Sequence, residues 1–120
     1  MHEIKYAKKY DNGVPVKWYS NEYFELAVWF HDNGDIKSFQ LCYDRNRKAH
    51  ALTWKDGMGF SYDKVDTGDN PGYHKMSPIL VQDGPFPREE IANKFLTASK
   101  EIDSGISRFV YEKILIYGNG

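Results

Sequence analysis

The sequence predicts an α+β domain in which an antiparallel β-meander of four or more strands precedes two C-terminal helices that pack on one face of the sheet. Three observations support this fold class. Large apolar residues alternate with other residues over positions 24–30, turn-forming dipeptides follow at hairpin spacing, and apolar residues recur three and four apart over positions 91–117. Strands that are segregated from helices along the chain are typical of α+β folds. At 120 residues the chain has the size of a single domain, residues 1–120.

The first twenty residues predict short segments at one edge of the sheet. Residues 4–9 are either a short edge strand or a frayed arm, and a turn follows at Asp11-Asn12-Gly13. Residues 14–19 are a further short strand. Pro15 lies near its start, where the missing N–H is tolerated.

The meander begins with the strand over residues 23–31, whose even positions are all large and apolar. Asn33-Gly34 predicts a two-residue type I′ turn, because both central residues of that turn have positive φ and these residue types adopt it readily. The turn then sets three pairs that join apolar residues: Val28 with Phe39, Leu26 with Leu41, and Phe24 with Tyr43.

Two further bends extend this register. A bend at Asn46-Arg47 predicts the pairs Phe39–Trp54, Leu41–Leu52 and Tyr43–His50. Asp56-Gly57, interpreted as a second type I′ turn, predicts the pairs Trp54–Gly59, Leu52–Ser61 and His50–Asp63. A slip of one residue would turn each of these side chains to the opposite face.

The other face of the predicted meander is mixed, with small residues in the middle and rings at one edge. It carries Glu25, Ala27, Trp29, Ser38, Gln40, Cys42, Ala51, Thr53, Phe60 and Tyr62. This face could be solvated, covered in part by the N-terminal arm, or used for binding, and the sequence leaves the three alternatives open.

The rest of the chain, from residue 66 onward, predicts a loop, a short strand and two helices. The loop covers residues 66–77 and the strand residues 78–81. Pro87 suits a first helical turn. The apolar stripe of that helix is Ile91, Phe95, Ala98 and Ile102. Asp103 is the predicted N-cap of the second helix, Gly118 its end, and Ile106, Phe109, Val110, Ile114 and Tyr117 its buried face. One long helix bent near Gly105 is the alternative.

Composition and charge exclude several classes of protein. With 16 basic and 17 acidic residues the formal net charge is -1, which gives no electrostatic reason to expect nucleic acid or an acidic membrane as a partner. The apolar stretches are too short to span a bilayer and the N-terminus lacks an apolar signal core, so we expect a cytoplasmic location. The single cysteine, Cys42, cannot form an internal disulfide. Aromatic residues make up 16% of the chain, which fits either a core filled with rings or an aromatic-lined site.

The predicted register brings Tyr43, His50 and Asp63 into one row across three strands. A carboxylate beside an imidazole orients the ring and favours its charged form, as a general acid or base requires. The row is therefore the candidate catalytic site of a small enzyme of unknown reaction class, with His74 as a further polar group. The alternative is an unreactive polar end of the core in which His50 and Asp63 satisfy each other.

Two other polar stretches are weaker candidates. Asp63, Asp66, Asp69, Asn70 and His74 lie within a dozen residues but match neither a calcium loop nor a zinc motif, so no metal is predicted. The N-terminal stretch that contains Lys5, Tyr6, Lys8, Lys9, Tyr10, Lys17, Trp18 and Tyr19 could hold single-stranded nucleic acid, but an ordinary solvated edge is favoured. There is no glycine-rich phosphate loop and no nucleophile elbow in the sequence, and no cofactor is predicted.

The sequence favours a small non-enzymatic domain that binds an unidentified protein or small ligand. The predicted binding residues are Trp29, Gln40, Thr53 and Phe60 on the mixed face and His74 in the loop. Rings among small polar residues are typical of contact surfaces, and long loops often carry function. The same mixed face could instead form a homodimer.

Overall fold

The computed structural model describes residues 1–44, 49–66, 79–82 and 86–117, and for residues 64–66 and 79–82 it describes the backbone alone. Eight strands and two α-helices lie in this part of the chain, and they confirm the α+β fold class. The strands are β1 His2–Glu3, β2 Tyr10–Asp11, β3 Val14–Ser20, β4 Phe24–Phe30, β5 Ile36–Tyr43, β6 His50–Lys55, β7 Gly59–Asp66 and β8 Ile79–Gln82. The helices are α1 Arg88–Ala98 and α2 Ser104–Tyr117, joined by a 3₁₀ turn at Ser99–Glu101.

The strands form a single antiparallel sheet in the order β1-β3-β4-β5-β6-β7-β8. The predicted meander is therefore confirmed and is extended at both ends. β2 pairs with the same edge of β3 as β1 does, at the opposite end of β3. The segment between them leaves the edge as a loop, held where the Ile4 N–H donates to the Trp18 carbonyl (2.7 Å) and the Lys9 carbonyl accepts from Val16 N–H (2.9 Å). A continuous strand over residues 4–9, one of the two predicted alternatives, is therefore wrong.

The two helices cover one side of the sheet, which we call the helix face. Ring contacts join the layers, with Phe24 at 5.8 Å from Phe95 and Phe39 at 6.4 Å from Phe109, both edge-to-face. Other fully buried residues between the layers are Leu26, Val28, Leu41, Leu52, Ile91, Val110 and Ile114. Burial of this apolar area is the main favourable contribution to folding.

The break between the helices lies where the sequence predicts it. α1 tightens into the 3₁₀ turn, and Ile102 is extended, with ψ of 176°. The Asp103 carboxylate then accepts hydrogen bonds from the N–H groups of Gly105 (2.9 Å) and Ile106 (3.1 Å) at the start of α2. This is the geometry of an N-cap. Two helices, and not one bent helix, are confirmed; Gly118 lies outside the described residues.

The first hairpin has the predicted strand register but not the predicted loop length. Its loop has three residues and not two, because His31 N–H donates to the Asp35 carbonyl (2.8 Å) and Gly34 N–H to the His31 carbonyl (2.9 Å). Gly34 has φ of 94°. Phe30 then pairs with Ile36 and Trp29 with Ser38, so Lys37 is a β-bulge. The bulge shifts the pairing by one residue and so returns the strands to the predicted register. The predicted pairs Val28–Phe39, Leu26–Leu41 and Phe24–Tyr43 are all present.

The second hairpin also has the predicted register, since Phe39 pairs with Trp54, Leu41 with Leu52 and Tyr43 with His50. The third hairpin does not. Lys55 pairs with Gly59, which leaves Asp56, Gly57 and Met58 in the loop. Asp56 is not among the described residues with positive φ, whereas Gly57 and Gly59 are, at 79° and 86°. A type I′ turn at Asp56-Gly57 is therefore excluded.

No bulge compensates the extra residue here, so β7 is displaced by one position along its whole length. Leu52 pairs with Tyr62, Trp54 with Phe60 and Ala51 with Asp63. The predicted pairs Trp54–Gly59, Leu52–Ser61 and His50–Asp63 are wrong. Phe60 and Tyr62 lie on the helix face, and Ser61 and Asp63 lie on the opposite side of the sheet, which we call the outer face.

Candidate functional site: a groove on the outer face

The register of β7 removes the basis of the predicted catalytic row. His50 lies opposite Lys64, and Asp63 lies opposite Ala51 on the outer face. Because neighbouring residues of a strand point to opposite faces, the imidazole and this carboxylate are on different sides of the sheet. The prediction that Asp63 orients the His50 ring is therefore wrong.

A phenol takes the place that Asp63 was predicted to occupy. The Tyr62 hydroxyl lies 3.3 Å from His50 Nδ1 and is hydrogen-bonded to the Tyr43 hydroxyl. The Tyr43 and His50 rings stack at 4.9 Å, and Phe86 packs edge-on against Tyr62 at 4.9 Å. Tyr43 and Tyr62 are both buried. The three groups form a hydrogen-bonded, aromatic end to the core. The predicted alternative for this row, in which His50 and Asp63 satisfy each other, is wrong as well, because the two side chains lie on different faces.

The outer face holds a groove of about 550 Å³ between two turns of the sheet. Four polar side chains from three adjacent strands line its floor: Ser38, Gln40, Thr53 and Ser61. Gln40 and Thr53 are directly opposed, and Gln40 Nε2 donates to Thr53 Oγ1 at 3.1 Å. This bond fixes the orientation of the Gln40 amide. Within the described parts of the chain, no other side-chain hydrogen bond uses the amide oxygen or the second N–H.

One wall of the groove is formed by Trp29 and the β2–β3 turn. Trp29 Nε1 donates to Asp11 Oδ2 at 3.0 Å, and the ring lies edge-on to Trp18 with 6.3 Å between centroids. The turn itself has positive φ at both Asn12 (50°) and Gly13 (83°), as in a type I′ turn. The indole of Trp29 is thus held on two sides while its ring still lines the groove.

The other wall is the β6–β7 loop. Met58 at its tip is 80% exposed, which is unusual for a thioether side chain in a small domain. Lys37, Lys55 and Asp56 complete this side of the groove. Asp56 Oδ2 is 3.2 Å from His31 Nε2, so the loop is tied to the neighbouring hairpin. The groove thus combines an aromatic ring, a flexible thioether, side-chain amide and hydroxyl groups, and charges of both signs.

The structure brings together three of the five predicted binding residues. Trp29, Gln40 and Thr53 all line the groove. Phe60 does not, because the displaced register places it on the helix face, where its ring packs 5.2 Å from Tyr117. His74, together with Asp69 and Asn70 of the loop considered for a metal, lies outside the described residues.

Sequence reasoning missed Asp11, Val14 and Met58, which also line the groove. Asp11 and Val14 reach it because β3 pairs with β4 in a register that sets Val16 opposite Trp29. No strong turn dipeptide precedes Phe24 to fix that register. Met58 lies in the loop because the loop has three residues. The two-residue turn predicted from the sequence would place Met58 at the start of β7.

Within the described ranges, no group of three or more His, Cys, Asp or Glu side chains is placed to hold a metal ion. The same part of the chain contains no helix that is long and apolar enough to cross a bilayer. Comparison of the chain with protein-family models, with curated proteins and with solved structures found no match.

Proposed function

We propose that this domain is a non-enzymatic binding module whose outer-face groove holds a segment of a partner protein. The observation that carries the proposal is the Trp29 indole, which Asp11 and Trp18 hold in place at the wall of a groove with a polar floor. Tryptophan is among the residue types that contribute most to binding energy at protein interfaces. A ring that is already oriented loses little conformational freedom on binding.

The open shape of the groove favours a polypeptide over a small cofactor-like ligand. Small-molecule pockets enclose most of their ligand, whereas this groove is open along one face of the sheet. Here the floor consists of hydroxyl and amide side chains, and the walls carry Lys37, Lys55 and Asp56 beside the exposed Met58. Hydrogen-bonding groups with one aromatic and one thioether contact suit a segment that presents polar side chains and a single apolar anchor. Thioether side chains are adaptable contacts at such surfaces.

The test uses a phage-displayed random peptide library panned against the immobilised protein. A lysine side chain in place of Thr53 would project into the middle of the groove and remove the acceptor of the Gln40 amide. The matched control is Thr97→Lys, at an exposed position of α1 in the helical layer. We expect peptides selected on the wild-type protein to lose at least about tenfold in affinity for Thr53→Lys, which is about 1.4 kcal/mol, and to bind Thr97→Lys unchanged.

Two results would contradict the proposal. Peptides that bind both variants and the wild-type protein equally would place the binding surface elsewhere. A wild-type dimer in sedimentation equilibrium that Thr53→Lys dissociates, and Thr97→Lys does not, would assign the groove to a second copy of this chain.

A further inference from the structure

Two neighbouring rows of directly opposed residues form the middle of the outer-face groove. In the first row Ser38 lies between Trp29 on one adjacent strand and Lys55 on the other. A short hydroxyl side chain between an indole and a long lysine side chain leaves a slot above Ser38. The sides of this slot are largely apolar, because the stem of a lysine is hydrocarbon up to its ammonium group. The slot therefore suits one apolar side chain of a bound segment.

The second row supplies only polar side chains to the groove. Gln40, Thr53 and Ser61 are opposed in turn on β5, β6 and β7. This row lies two residues along the strands from the first, a distance of about 6–7 Å. An extended segment has the same rise per residue as the strands. A segment that runs along them and fills the slot with one side chain therefore passes over the second row two residues later.

The sheet backbone offers no hydrogen bonds to a segment bound here. The strands β4, β5, β6 and β7 are each paired on both sides, so their main-chain groups are used within the ladders. Only at an edge strand can a bound segment pair with the backbone of a sheet. In the groove, side chains must replace the hydrogen bonds that the segment's main chain loses as water leaves.

Gln40 is the floor residue whose side chain matches an extended main chain. Its carboxamide carries an acceptor and a donor on two atoms of one plane. One N–H donates to Thr53 Oγ1 at 3.1 Å, which holds that plane in place. The residue is half-buried, and within the described ranges its oxygen and second N–H enter no other side-chain hydrogen bond. The carboxamide therefore faces the groove with an acceptor and a donor already oriented.

We infer that Gln40 recognises the main chain of the partner segment, accepting a hydrogen bond from the N–H of one extended residue and donating one to its C=O. A second residue, two positions away, fills the slot between Trp29 and Lys55 with an apolar side chain. In an extended chain the N–H and C=O of one residue point the same way, as in a hydrogen-bonded pair of a sheet. The inference rests on the proposed function and specifies the partner as an extended segment without proline at the residue that Gln40 contacts.

The test uses the tightest-binding peptide from the random library, with each main-chain amide replaced in turn by an ester, which removes one N–H. Isothermal titration calorimetry gives the affinities for the wild-type protein, Gln40→Ala and Gln40→Glu. Asn93→Ala is the control, because it removes an exposed carboxamide from α1. We expect one ester to weaken binding to the wild-type protein and to Asn93→Ala roughly five- to tenfold, and the same ester to weaken binding to Gln40→Ala less than about twofold.

Gln40→Glu separates the two hydrogen bonds. Its carboxylate keeps the acceptor but has no N–H, so this variant should bind the parent peptide more weakly than the wild-type protein does and still lose affinity with the ester. Esters that act equally on the wild-type protein and Gln40→Ala, in a peptide that Thr53→Lys fails to bind, would overturn the inference and leave the proposed function standing. Selected peptides that bind Thr53→Lys as tightly as the wild-type protein would overturn both.

Discussion

Replacement of Tyr62 by alanine tests the register of β7 directly. The sequence-predicted register would place this side chain on the outer face, where its removal would cost little. In the structure the residue is only 5% exposed, and its ring contacts Tyr43, Phe86 and Tyr117. A buried aromatic side chain removes about 150–250 Å² from water. At about 25 cal/mol per Å² this is an upper estimate of roughly 4–6 kcal/mol.

We expect Tyr62→Ala to lower the free energy of unfolding by about 3–5 kcal/mol, which is the usual range for large aromatic truncations in a core. The assay is urea denaturation followed by circular dichroism, with a midpoint lowered by about 2 M for a slope of roughly 2 kcal/mol/M. Tyr62→Phe keeps the ring and loses the hydroxyl contacts to Tyr43 and His50, so it should cost about 1–2 kcal/mol. The neighbouring outer-face variant Ser61→Ala should stay within about 0.5 kcal/mol of the wild-type protein. A Tyr62→Ala cost below about 1 kcal/mol, equal to that of Ser61→Ala, would refute the register.

Three further predictions concern single contacts. Burial, with smaller contributions from Glu3 and Asp103, raises the pKa of Tyr19 to about 12. The unfolded state loses this proton near pH 10 and the folded state near pH 12, so the free energy of unfolding should fall by up to roughly 2–3 kcal/mol over that interval. In urea titrations at pH 9 and pH 11.5, Tyr19→Phe should show a smaller loss of stability between the two pH values than the wild-type protein. A Tyr19→Phe variant as pH-sensitive as the wild-type protein would contradict this assignment. Asp103→Ala removes the N-cap of α2 and should lower the free energy of unfolding by about 1 kcal/mol, measured by thermal unfolding. Asp103→Asn can also cap the helix and should recover most of this loss. Equal losses in the alanine and asparagine variants would show that the cap hydrogen bonds contribute nothing. Gly34→Ala places a Cβ on a residue with φ of 94°, so we expect a loss of about 1–2 kcal/mol in denaturant midpoint experiments. Gly34→Asn, a residue type that adopts positive φ more readily, should lose less.

Local chemistry accounts for what could be predicted of the fold. The alternation from Phe24 to Phe30 requires one buried face, and the Asp103 cap separates two helices that share nearly the same apolar phase. The hairpin at Asn33-Gly34 shows how far such reasoning reaches. Its strand register is as predicted although its loop length is not, because the extra loop residue and the bulge at Lys37 cancel.

The candidate site was predictable only where the register was. Trp29, Gln40 and Thr53 lie on β4, β5 and β6, whose pairings follow from the first two hairpins, and they meet as expected. Phe60 and Asp63 lie beyond the third hairpin, and both were assigned to the wrong face. Asp56-Gly57 is compatible with a two-residue and with a three-residue loop. The alternation of Phe60 and Tyr62 with Ser61 and Asp63 favours the observed register, in which the rings face the core, whereas the turn dipeptide alone indicates the other one. Residues 4–9 leave the sheet edge as a loop, and strand periodicity does not describe the path of such a loop.

The bulge at Lys37 also marks a place where this sequence can lose a residue. Because Phe30 pairs with Ile36 and Trp29 with Ser38, removal of the bulged residue would leave a regular ladder in which every later pair is unchanged. Loss of one residue within β5 beyond Ser38 would instead turn the side chains on one side of the deletion to the opposite face. Single-residue gaps in related chains should therefore fall at this bulge or in the loop before it, and not in the paired part of β4 or β5.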